Sequence, residues 1–223
     1  MGDIEMSEYR ELLIGAGRDR KKRYQAVPHH PRDWQTKVVT LDIDIRVNPD
    51  LWCDLNTQPP WHAISAGDTV RRELLSDFWD EIHAYQVLEH LGQQGDAASF
   101  FAHFGELWRL LKPDGYLVVA VPSRFSGNMW GDPSHRRAIV EESLVFLDQS
   151  QYIRQCDGLK PTAMSDFRNI YKGDFRCTDQ ANNREDFVFV LQAVKPSRWV
   201  DTWANRIPNS RENANVDSNA TGR

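Results

Sequence analysis

Short apolar runs that end at a glycine or an acid alternate with polar stretches over the first 121 residues, a pattern that predicts strands joined by crossovers. The run Glu11-Leu-Leu-Ile-Gly-Ala-Gly-Arg18 reads as a short buried strand closed by a glycine turn. Lys37 to Ile43 predicts a second strand ending on an acid, and Leu51 to Leu55 a short third. Residues 56 to 77 carry prolines and then become helix-like from Val70 to Leu75, before a fourth strand over Phe78 to Tyr85. After Asp96, the residues Phe100, Phe104, Leu107, Trp108 and Leu111 recur at helical spacing and predict an amphipathic helix with an apolar, core-forming face. Lys112-Pro-Asp-Gly115 stops that helix and turns the chain into a strand from Tyr116 to Val121.

Beyond Pro122 the pattern predicts a loop region and a helix over Val140 to Leu147. Two strands follow, Phe167 to Phe175 and Phe187 to Val194, joined by the polar Asp179 to Glu185. With no helix between them, they predict an antiparallel pair at one sheet edge. From Pro196 the chain is rich in Asn, Ser and Arg and is read as a flexible tail, giving a domain over 1–195 and a tail over 196–223. The expected fold is therefore α/β: a Rossmann-like, doubly wound, mostly parallel sheet with an antiparallel edge hairpin. In such a sheet ligands lie beyond the carboxyl ends of the strands.

Charge and composition remove several classes of function. A formal net charge of −5 gives no global attraction to nucleic acid or an anionic membrane. No apolar run approaches the ~20 residues of a membrane helix, and the charged N-terminus is unlike a secretory signal, so a cytoplasmic protein is expected. The three cysteines, Cys53, Cys156 and Cys177, are odd in number and far apart, which fits neither a disulfide framework nor a zinc knuckle; no metal site is expected. The basic run Arg18, Arg20, Lys21, Lys22 and Arg23 reads as a solvated face.

The candidate chemistry gathers at the strand ends. Gly15-Ala16-Gly17 follows the first strand, where missing side chains let a ligand approach the backbone. Asp42, at the end of the second strand, is placed to accept hydrogen bonds from two ribose hydroxyls, with Asp44 as a near competitor. Nicotinamide dinucleotides and S-adenosylmethionine both use such an acid. A dinucleotide site would want a third glycine where this chain has Arg20, whereas S-adenosylmethionine carries no pyrophosphate and is less demanding there.

Seven pieces in order carry a resemblance to a known family: Leu13-Ile-Gly-Ala-Gly17, Leu41-Asp-Ile43, Asp54-Leu-Asn56, Phe78-Trp-Asp-Glu-Ile82, Val87-Leu-Glu-His-Leu91, Glu106-Leu-Trp-Arg-Leu-Leu-Lys-Pro-Asp-Gly115 and Asp132-Pro-Ser-His-Arg136. Over residues 11 to 147 the chain resembles class I S-adenosylmethionine-dependent methyltransferases, particularly the small type 11 kind. The resemblance implies S-adenosyl-L-methionine as cofactor and methyl transfer to an unidentified acceptor. It places Gly15, Ala16 and Gly17 against the methionine part, Asp42 with Ile43 at the ribose, and Asp54 and Leu55 at the adenine. Gln86 then faces the sulfonium side. The chain departs from the family at Leu13, where an acid is usual, at Asp19 in place of a glycine, and at Gln86, where many relatives have His.

Methyl transfer needs a held nucleophile and, where that nucleophile carries a proton, a base. His135, in the loop Ser123 to Arg137 after the fifth strand, is the preferred base; His90 and Glu89 are read chiefly as structural, Glu89 as a helix cap. Two alternatives stay open. One is a methyltransferase fold that serves as an inactive binding or structural module; the other, a nicotinamide-dependent oxidoreductase, is opposed by Arg20 and by the Leu-Lys-Pro-Asp-Gly element.

Overall fold

The structure, a computed structural model, describes residues 9–27 and 31–200. In chain order the strands are β1 (Glu11–Ile14), β2 (Val39–Asp42), β3 (Leu51–Trp52), β4 (His62–Ser65), β5 (Arg71–Glu73), β6 (Trp79–Tyr85), β7 (Leu111–Pro122), β8 (Phe175–Asn182) and β9 (Asp186–Ala193). They form one nine-stranded sheet in the order β5-β4-β3-β2-β1-β6-β7-β9-β8. The five central strands, β3-β2-β1-β6-β7, are parallel, and both edges close with antiparallel hairpins. The α/β, Rossmann-like class is thus observed. Because β1 pairs with β2 on one side and β6 on the other, the winding reverses between β1 and β6, which is where such sheets open a crevice.

The helices are α1 (Ala97–Leu110), α2 (Gly127–Gly131), α3 (Glu141–Leu144) and α4 (Gln149–Gln155). Asp96 caps α1 through the Ser99 N–H, and Phe100, Phe104 and Leu107 turn its buried face onto the sheet. No helix long and apolar enough to cross a membrane occurs among the described residues.

Three expected elements differ. Val70 to Leu75 is not helical: Arg71–Glu73 is an edge strand paired with β4, exposed along its length, and sheet pairing outweighs a weak helical spacing. The strand expected at Phe167 to Phe175 begins only at Phe175, because Phe167 and Tyr171 instead pack against Phe101 of α1 at ring separations of 4.9 and 5.0 Å. That strand, β8, runs on through Asn182, so most of the polar link expected over Asp179 to Glu185 is strand.

The third difference decides how the sheet is covered. The expected alternation of strand and helix over residues 11 to 121 is met only by α1; between β1 and β2 the described residues form no helix. This charged segment lacks apolar positions at helical spacing, and it lies as irregular chain over the face opposite α1. Tyr24, Ala26, Trp34 and Val38 pack there on Leu13, Tyr85, Val118, Ala120 and Val190.

Lys22 fastens that segment. Its ammonium, wholly buried, lies 2.6 Å from Glu11 Oε1 and 2.8 Å from Glu81 Oε2. The basic run is therefore not uniformly a solvated face: Arg18, Arg20, Lys21 and Arg23 are exposed, and Lys22 is not. Of the expected tail, residues 196–200 are described and held, with Arg198 paired to Asp174 and Asp148 and the Trp199 indole donating to the Arg168 carbonyl. The rest, 201–223, lies outside the described residues.

Candidate functional site

At the reversal between β1 and β6 the carboxyl ends of β1, β2, β3 and β6 surround a cavity of about 290 Å³. That is near the ~300 Å³ lower bound for small-molecule pockets. Two larger depressions, of about 450 and 550 Å³, lie away from this crevice, one beside β8 and one between α1 and the 169–173 chain. The topology singles out the smaller.

Gly15 starts the site. Its φ of +60° and the position of Val87, whose Cγ2 would stand 2.2 Å from any Cβ at residue 15, leave room only for glycine. Gly15→Ala should cost roughly 2 kcal/mol or more of stability through overpacking and left-handed backbone strain. Gly17, at φ +54° with open space around it, should tolerate alanine better. Urea unfolding of the two variants compares them directly; equal losses would show that Val87 yields.

Asp42 closes the end of β2, largely buried. Its Oδ2 accepts the Gly17 N–H at 2.8 Å and its Oδ1 accepts the Asp44 N–H at 2.8 Å, so the carboxylate ties the glycine turn to the strand that follows. Each oxygen keeps a lone pair for a ligand hydroxyl. Asp44 turns elsewhere: it caps the one-turn helix Ile45–Val47 and pairs with Arg46 at 2.8 Å.

Gly15, Asp42, Ile43, Asp54, Leu55 and Gln86 all line the cavity. Of the other expected residues, Ala16 is buried in the apolar layer on the opposite face, and Gly17 takes part through its N–H. Asp54 Oδ1 accepts the Asn56 N–H at 2.9 Å, a turn that leaves its other oxygen for a ligand. Gln86 holds a left-handed φ of +57°, rare for a non-glycine residue, and donates from Nε2 to Asp186 Oδ1 at 2.8 Å.

Sequence reasoning passed over Cys53 and Leu91 as cavity residues, and His90, read chiefly as structural, also lines the cavity. His135, the expected base, does not line the cavity; it stands one ring behind His90, their centroids 4.8 Å apart. The loop Ser123 to Arg137 nonetheless lies at this end of the sheet, since Arg136 and Arg137 donate their N–H groups to the Glu89 carbonyl. His103, in α1, stacks on Trp61.

Glu89 is not a helix cap. It lies on the one-turn helix Leu88–His90, its carboxylate is wholly buried, and neither oxygen has a hydrogen-bond partner among the described residues. Burial pushes its carboxyl up to about 7.

No family model matches the chain, and no curated protein matches it. Among solved structures it is similar to a SAM-dependent methyltransferase from Archaeoglobus fulgidus, at 14% identity over 82% of this chain and 86% of that one, with a TM-score of 0.47. A 16S rRNA (adenine(1408)-N(1))-methyltransferase from Catenulisporales acidiphilia shows 16% identity, 85% and 86% coverage, and a TM-score of 0.46. A 1,6-didemethyltoxoflavin-N1-methyltransferase from Burkholderia thailandensis, solved with S-adenosylhomocysteine, shows 14% identity, 83% and 72% coverage, and a TM-score of 0.45. The likeness is one of fold.

Proposed function

We propose that this protein binds S-adenosyl-L-methionine in the β1–β6 crevice and transfers its methyl group to an acceptor entering beside His90. The observation that carries the reading is Asp42: a buried carboxylate at the end of β2, hydrogen-bonded to the glycine turn and open to the cavity. Its two remaining lone pairs suit a ribose diol, Gly15 admits the amino-acid portion, and Asp54 with Leu55 suits an adenine edge and face.

Among the described residues the cavity carries no cradle for a pyrophosphate. Arg20, at the position where a dinucleotide fold wants its third glycine, donates to the Val47 and Asn48 carbonyls, and no helix follows Gly17 before β2 among the described residues. A nicotinamide cofactor is therefore disfavoured.

Calorimetric titration of the full chain with S-adenosylhomocysteine and, separately, with NAD tests the reading. Saturable binding of the first, with none of the second at equal concentration, is expected; the reverse would overturn it. An inactive module would bind S-adenosylhomocysteine yet turn over no acceptor. The acceptor side is bounded by the Ser123 to Arg137 loop, where Trp130 and Phe125 expose large aromatic surfaces suited to an apolar or planar group.

A further inference from the structure

Glu89, His90 and His135 stand together at the acceptor end of the cavity, and nothing in the cofactor site uses their side chains. One ligand atom from each lies within 4.8 Å of the others, and Glu89 Oε1 is 3.9 Å from His90 Nε2. Two imidazoles and a carboxylate are a donor set for a divalent transition metal.

The orientation of the rings is independent of that proximity. His90 Nδ1 lies 3.2 Å from the Ser134 carbonyl and His135 Nδ1 lies 3.3 Å from the Met129 carbonyl. A carbonyl only accepts, so each Nδ1 carries the proton, and each Nε2 is left with a lone pair. Metal-binding histidines are commonly set by such a hydrogen bond from the other ring nitrogen. The two lone pairs belong to the nitrogens that face acids: His90 Nε2 toward Glu89, and His135 Nε2 at 3.8 Å from Asp132 Oδ2.

Glu89 supplies the third observation. A carboxylate with no exposure and no hydrogen-bond partner among the described residues is costly, and a cation between it and the two imidazoles would satisfy it.

A second cluster, Glu11, Glu81 and His83, has the same composition. There Lys22 already lies at 2.6 and 2.8 Å from the two carboxylates, so an ammonium takes the place a metal ion would need. No such cation lies between Glu89, His90 and His135 among the described residues.

We infer that Glu89, His90 and His135 form a binding site for one divalent transition-metal ion, with Zn²⁺ the ion that best suits two imidazoles and a carboxylate. Zinc bonds of ~2.0–2.1 Å in tetrahedral geometry set donors roughly 3.4 Å apart. Closing the cluster by up to about 1.4 Å is a matter of side-chain rotation, easiest at the partly exposed His90. Three protein ligands leave a coordination position, and His90 on the cavity wall turns it toward the proposed acceptor; that last point rests on the methyltransferase reading, whereas the ion site does not.

Zn²⁺ titration of the chelator-treated full chain, read by competition with a chromophoric chelator and without nucleoside present, tests the site. One equivalent bound at micromolar or tighter dissociation constant is expected, and Co²⁺ should give the visible absorption of a four- or five-coordinate centre. Glu89→Gln, His90→Ala and His135→Ala should each weaken Zn²⁺ by tenfold or more. Glu89→Gln nearly preserves size and shape, and a thermal melt of the variant checks that the fold is kept. Absence of binding below about 1 mM, or tight binding untouched by all three substitutions, would overturn the inference. Metal binding without S-adenosylhomocysteine binding would sink the proposed function and leave the ion site standing; the converse would do the opposite.

Discussion

Lys22→Met should lower stability by roughly 3–5 kcal/mol, the cost of leaving buried charges without their partner. The ammonium is wholly enclosed between Glu11 on β1 and Glu81 on β6. Its loss also frees the chain that covers this face, since Glu11 Oε2 accepts the Gln35 and Thr36 N–H groups and Trp34 packs edge-on to His83 at 5.0 Å. For a domain of this size the drop amounts to a melting-temperature loss on the order of 10 °C. Restoring neutrality with Glu11→Gln and Glu81→Gln in the same chain should recover most of it. A loss under about 1 kcal/mol for Lys22→Met alone would mean that water reaches the carboxylates.

The same cluster sets an acid limit. Burial alone would raise the Glu81 carboxyl, but hydrogen bonds from His83, Lys22 and Tyr9 overcome it and hold the group far below the usual carboxylate range. Burial pushes His83 down, against the pull of Glu81, so its ring is neutral, donating from Nε2 to Glu81 while Nδ1 accepts from the Tyr85 hydroxyl. Both shifts are depressions. Glu81 contributes stability that is complete above its unfolded value of ~4.3 and is lost as pH falls below it, and His83 adds a penalty that grows as pH falls below its unfolded value of ~6.5.

How far this was legible depends on whether a buried face imposed a pattern. β1, β2, β6, β7 and α1 could be read because their residues pack on a core. β5 is exposed throughout, and β8 is exposed at every position after Phe175; neither needs an alternation, and neither shows one. Lys22 could not be told from its basic neighbours, because its burial depends on acids eleven and fifty-nine residues away.

The proposed cofactor side was the more legible half of the site, since Asp42 ends one strand and Asp54 follows another, and the sequence marks both ends. The proposed acceptor side depends on tertiary approach. Glu89 and His90 are adjacent in sequence, yet only the return of the Ser123 to Arg137 loop brings His135 beside them, and only the carbonyls of Ser134 and Met129 fix which ring nitrogen is free.

Asp42→Ala should weaken S-adenosylhomocysteine by ~1.5–3 kcal/mol, or roughly 10- to 150-fold, the scale of hydrogen bonds to a charged acceptor. The substitution acts twice in the same direction. It removes the proposed acceptor for the ribose hydroxyls, and it releases the Gly17 N–H that holds the glycine turn over the cavity. Asp42→Asn separates these effects, because an amide oxygen can still accept from Gly17 while the charge is gone. Its affinity should fall between those of the parent and the alanine variant. Asp44→Ala serves as the neighbouring control: that carboxylate is occupied by Arg46 and faces away from the cavity, so affinity should change less than twofold. Calorimetry on the three variants, with thermal melts to confirm folding, decides the matter. Should Asp44→Ala lose affinity while Asp42→Ala keeps it, the ribose would lie beyond the end of β2, and the crevice geometry would have to be reassigned around Asp44.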